Sequence, residues 1–135
     1  MQGEGITIVQ QLRKIDCIMY CVTDLDQAAD FYQHVLGLRQ VWRDEERRMI
    51  GLVLAESDTE IVLHTDTSLP NPDMSFLVDD VAQFCRHYQQ AGYRVIVTPF
   101  DVRCGKYAVL SDPDGNAIAI IDLTPFGGIP HYHTP

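Results

Sequence analysis

The chain has 135 residues, a formal net charge of −9 from 19 acids against 10 bases, 46% hydrophobic and 21% charged residues. That length suits one domain able to bury a core without staples. The composition is that of an ordinary globular protein rather than a disordered one. A binder of the phosphate backbone needs clustered Lys and Arg, and the one basic cluster, Arg43, Arg47 and Arg48, is interleaved with Asp44, Glu45 and Glu46 as in a solvated turn. No nucleic-acid partner is therefore expected. No apolar run approaches the roughly 18 residues of a membrane span, and the Met-Gln-Gly-Glu-Gly start lacks the pattern of a secretory signal. The expectation is a cytoplasmic protein without a membrane partner.

In chain order, residues 15–22 have β-type composition. Asp24 can cap a helix over about 26–35, with Ala28, Phe31, Tyr32 and Val35 spaced along one face and Gly37 at its end. Short strands follow at 38–43, 49–55 and 60–65. A second set repeats the order: a strand at 74–78, a helix at about 81–91 stopped by Gly92, and strands at 94–98, 107–110 and 117–123. The last hairpin turns at Asp112-Pro113-Asp114-Gly115-Asn116, whose residues supply a fixed φ, side-chain turn bonds and a positive φ. Four cysteines, Cys17, Cys21, Cys85 and Cys104, form no CxxC pair. Cys17 and Cys21 on one strand lie about 13 Å apart, too far for a disulfide.

The two sets are an internal repeat. A shift of 55 to 56 positions brings Val22-Thr23-Asp24-Leu25 onto Val78-Asp79-Asp80-Val81 and Leu36-Gly37-Leu38-Arg39 onto Ala91-Gly92-Tyr93-Arg94. The fold class read from this is α+β: two tandem βαβββ modules forming a cup-shaped mixed sheet, with one helix per module on the outer face. Module one covers about 12–66, module two about 73–124, and 125–135 is a tail. Alternation sends Ile18, Tyr20 and Val22 under the first helix and leaves Cys17, Met19 and Cys21 on the other face. Likewise Met74, Phe76 and Val78 go under the second helix, leaving Asp73, Ser75 and Leu77.

The run Val22-Thr23-Asp24-Leu25-Asp26-Gln27-Ala28-Ala29-Asp30-Phe31-Tyr32, closed by Val35-Leu36-Gly37-Leu38, and the run Ser111-Asp112-Pro113-Asp114-Gly115-Asn116 before an apolar strand resemble the vicinal oxygen chelate superfamily. This is the group of glyoxalases, bleomycin-resistance proteins and extradiol dioxygenases, and the resemblance covers about residues 12–124. It implies a metal in the cup, with ligands at the positions of Cys17, Leu63, Asp73 and Ala119. The offset of 56 that relates Cys17 to Asp73 also relates Leu63 to Ala119. Leucine and alanine have no lone pair to offer, so no metal and no cofactor are expected.

The expected function is accordingly that of the metal-free bleomycin-resistance branch, sequestering an antibiotic or another cationic or aromatic small molecule. Enzymatic activity is left open, leaning against. The alternative is a glyoxalase-like lyase or isomerase, or a dioxygenase, with a displaced metal site drawing on His64 or on His131 and His133 in the tail. The ligand-binding candidates are Cys17, Met19, Leu63, Asp73, Ser75 and Ala119 as floor, Trp42, Phe100 and Tyr107 as stacking walls, and Arg103 as a polar anchor. No catalytic residue is assigned. In unslipped register His64 is expected to face the helix. Relatives in the branch pair, so a homodimer is expected.

Overall fold

The computed structural model describes residues 11–126, so His131 and His133 lie outside the described residues. Eight strands and two helices follow one another as β1 (Lys14–Cys21), α1 (Leu25–His34), β2 (Arg39–Asp44), β3 (Met49–Val53), β4 (Glu60–His64), β5 (Asp73–Leu77), α2 (Val81–Gln90), β6 (Val95–Val102), β7 (Gly105–Ser111) and β8 (Ala117–Ile121), with a short 3₁₀ turn at Thr124–Phe126. The α+β class and the twofold βαβββ order are as expected. The chain divides into two compact units, one of residues 15–75 and one of residues 11–14 and 76–126, with the division falling inside β5.

In the first unit the strand order is β2-β3-β4-β1. β1 and β4 run parallel with Ile18 opposite Ile61 and Tyr20 opposite Leu63, and β4, β3 and β2 are antiparallel neighbours. Asp24 caps α1 by accepting from the Gln27 N–H at 3.0 Å, and Gly37, at φ 81°, follows the helix in the left-handed region that suits glycine. Leu25 and Ala29 from α1 join Leu38, Ile50, Leu52, Ile61 and Leu63 in one buried cluster, against which Ile18, Tyr20, Val22, Ala28 and Tyr32 pack. The buried side of α1 is thus centred on Leu25, Ala28, Ala29 and Tyr32. Phe31 and Val35, expected on that side, are exposed: Phe31 lies about 100° around the helix from Tyr32, and Val35 is the C-cap residue, past the last turn of α1. Phe31 meets Tyr32 edge-on instead.

The second unit repeats the plan with strand order β5-β8-β7-β6. Asp80 caps α2 through the Gln83 N–H at 3.0 Å, and Gly92 follows at φ 95°. Val78, Val81, Cys85, Ala108, Leu110 and Ile120 form its core. β6 is longer than the expected 94–98 and carries Pro99 within it. Proline, lacking an N–H, is tolerated because β6 is an edge strand with register shifts on that stretch. Among the described residues, no helix is long and apolar enough to cross a membrane.

Candidate functional site

Alternation fixes what the helix-free face of the first unit displays. Ile61 and Leu63 of β4 are committed to the α1 core, so Glu60, Val62 and His64 point the other way. The parallel register sets Cys17 opposite Glu60, Met19 opposite Val62 and Cys21 opposite His64. From β5, buried Ser75 meets Cys17, Sγ to Oγ 3.4 Å, and Asp73 lies two residues before it on the same side. Trp42 lies over Gly51 of β3, and its indole N–H donates to Glu60 Oε1 at 2.7 Å. Cys17, Met19, Trp42, Asp73 and Ser75 therefore share one face with Glu60 and His64.

Leu63 does not belong to this set. It is fully buried in the α1 cluster, which corrects its expected place on the floor and the expected helix-side place of His64 together. The cause is one residue of register. The helix-side pair Ile61 and Leu63 corresponds to Ile118 and Ile120, one residue further along than the offset of 56 that holds from β1 to β5. A legible signal existed in Glu60-Ile61-Val62-Leu63-His64, where the two polar residues sit an even number of positions apart and so share a face.

His64 is the group in the least ordinary surroundings. It is 2% exposed; its Nδ1 accepts the Asp66 N–H at 3.0 Å, while Nε2 is buried and has no hydrogen-bond partner among the described residues. Burial holds the imidazole below its ordinary value of 6.5, against the opposing pull of the Asp66 and Asp73 carboxylates. Asp73 is pushed up by burial, with His64 and the Met74 N–H pulling it back.

The two groups act on stability in opposite senses. For His64, the unfolded chain takes up a proton first on acidification. Stability is therefore lost as pH falls below 6.5 towards the lowered folded value. For Asp73, the folded state protonates first, so folding gains as pH falls through the raised carboxyl value, at lower pH. His64→Gln is expected to flatten the fall in melting temperature between roughly pH 7 and 5. Equal slopes for variant and wild type in thermal melts would remove the attribution to His64.

In the second unit, Ala108 and Leu110 face α2, so Tyr107 and Val109 of β7, with Ala119 and Ile121 opposite them on β8, occupy the helix-free side. Phe100 pairs with Tyr107 across β6 and β7, ring centroids 5.6 Å apart. Arg103 lies half-buried in the turn between those strands. An open depression of about 450 Å³ beside Gly92, Arg94, Asp112 and Gly115 uses none of these residues. Its Asp112 carboxylate is already occupied by the Asp114, Asn116 and side-chain N–H bonds of the turn.

Two of the four positions at which the resemblance implies metal ligands carry no donor atom. Leu63 points into the α1 core, Ala119 offers only a methyl group, and among the described residues no group of three His, Cys, Asp or Glu side chains is arranged to hold an ion.

An α+β chain of duplicated βαβββ order, with polar groups gathered on a helix-free sheet face, is the class the fold and site define. The family profile described as "Glyoxalase/Bleomycin resistance protein/Dioxygenase superfamily" matches residues 14–120, and the chain belongs to that superfamily. Among solved structures it is similar to methylmalonyl-CoA epimerase from Mycobacterium tuberculosis, with 21% identity, TM-score 0.61, and coverage of 82% of this chain and 87% of that one. It is also similar to the Mn(II)-bound glyoxalase from Novosphingobium aromaticivorans, with 21% identity, TM-score 0.58, and coverage of 84% and 40%. An extradiol ring-cleaving dioxygenase from B. fuscum matches with 25% identity and TM-score 0.57 over 82% of this chain, which spans only 32% of that protein.

Proposed function

We propose that the protein is a metal-independent small-molecule binder, which works as bleomycin-resistance proteins do by sequestering an aromatic or cationic ligand. The binding candidates on the helix-free face of the first unit are Cys17, Met19, Trp42, Asp73 and Ser75, and those of the second unit are Phe100, Tyr107 and Ala119, with Arg103 in the β6–β7 turn as a polar anchor. The observation that carries the reading is a pairing of two facts. Convergent polar groups (Cys17–Ser75, Asp73 and His64) are present on the helix-free face of the first unit, while Val62, which the observed register puts on that face, and its counterpart Ala119 have no lone pair for a metal. The proposal includes a cytoplasmic homodimer without nucleic-acid or membrane partners.

A second reading, a lyase, isomerase or dioxygenase with a displaced metal, draws support from His64 standing on the same face as Cys17 and Asp73. It needs further donors, for which His131 and His133 are the candidates.

Elemental analysis of untagged protein purified without chelator separates the two. The expected result is near-zero metal, not restored by incubation with Ni²⁺, Zn²⁺, Fe²⁺ or Mn²⁺. About one ion per chain, lost in His64→Ala or Asp73→Ala, would replace the first reading with the second.

A further inference from the structure

His64 carries a hydrogen-bond donor that nothing among the described residues meets. Its Nδ1 accepts the Asp66 N–H, and in a neutral imidazole the accepting nitrogen bears no proton, so the proton sits on Nε2. That N–H is buried and unpartnered, an arrangement rare in folded proteins and one that points to a missing acceptor. Register aims the ring to the helix-free face, opposite Cys21 on β1. Asp73, half-buried on the same face, is close enough that each group feels the other's charge. A ligand cation alone would suit Asp73 and leave Nε2–H unmet. A carboxylate would suit Nε2–H and be repelled by Asp73. One neutral group answers both needs.

We propose that His64 and Asp73 form a donor–acceptor pair that takes a carboxamide-like group, the Nε2–H meeting its carbonyl oxygen and the Asp73 carboxylate accepting its N–H. This deepens the binding reading given above and rests on it. It makes the ligand, at this end, a neutral amide (a lactam, carboxamide or peptide-like unit) rather than an acid or a simple amine. Met19 and Cys21, half-buried beside Val62 and His64 in the register, are the side chains that shift to admit it.

The test uses the full chain, labelled with ¹⁵N at histidine, and four small probes: benzamide, acetophenone, benzylamine and benzoate. Benzamide is expected to bind in about the millimolar range. Its affinity should exceed that of each other probe by about tenfold, the worth of one well-made hydrogen bond. It should also move the His64 Nε2–H resonance, which itself reports the tautomer. His64→Leu should abolish the preference, and His64→Gln, which keeps an N–H at its tip, should retain most of it. Equal binding of benzamide, acetophenone and benzylamine would overturn the pair while leaving small-molecule binding intact. A His64 signal unmoved by benzamide, or no benzamide binding, would likewise overturn it, the former leaving a buried water as the partner of Nε2. About one metal ion per chain would instead overturn the reading on which the pair rests.

Discussion

Asp122→Ala is expected to lower stability by about 3–5 kcal/mol, moving the thermal midpoint down by about 10–18 °C for a chain of this length. The carboxyl group is 1% exposed and stands at the junction of three elements. Oδ2 accepts the Val81 N–H at 2.8 Å, at the first turn of α2, where an acid also complements the helix dipole. Oδ1 accepts the Lys106 N–H at 3.0 Å and the Thr124 hydroxyl at 3.1 Å, joining β7 to the turn after β8. Alanine leaves the buried Val81 N–H unmet at the desolvation cost of a polar group, and takes the acceptor from the part-buried bonds to Lys106 and Thr124. Gly105 belongs to the same arrangement, because a Cβ there would run into the backbone and side chain of Asp122. Asp122→Asn keeps one acceptor and should cost about half as much. Thermal melts give the magnitude, and hydrogen exchange at the Val81 and Lys106 amides gives the location. A loss below about 1 kcal/mol, with those amides still protected, would mean the carboxylate is not what ties α2 to β7.

Gly51→Val is expected to cost about 2–4 kcal/mol and to displace Trp42 from the site face. Trp42 sits directly across from Gly51 in the β2–β3 register, with its indole over the glycine where a Cβ would fall among the ring atoms. The indole must leave, and its 2.7 Å bond to Glu60 goes with it. Trp42 is the only tryptophan in the chain, so its fluorescence reports the event without interference. A red-shifted emission maximum with a melting loss of about 7–14 °C is the expected pair of observations. An unchanged spectrum would show that β2 can accommodate the branched side chain without moving the ring. Ligand affinity measured on the same variant then tells whether Trp42 is a wall of the site or only a cover for β3.

The duplicated order of elements was legible because local rules write it. Asp24 and Asp80 cap the helices, Gly37 and Gly92 take the positive φ after them, and the Asp112–Asn116 run makes its turn from its own side chains. Period-two alternation in β1 and β5 likewise separated Cys17 and Met19 from Ile18 and Tyr20, and Ser75 from Phe76, because strand geometry leaves no other choice.

What the repeat offset could not decide was the register of β4. A constant offset of 56 set Leu63 on the floor and His64 under the helix. One residue more between the modules reverses both, and a one-residue shift in a strand exchanges its faces entirely. The packing of Ile61 and Leu63 against Leu25 and Ala29 fixes the register that the spacing of Glu60 and His64 favours, because it buries isoleucine and leucine in that core. The same holds for Phe31 and Val35, which the helical period allows on the buried side and the position of the core leaves in water. Local sequence thus determined which elements form and where they end. Tertiary burial decided which faces they present, and with that it put His64, rather than Leu63, on the helix-free face with Asp73.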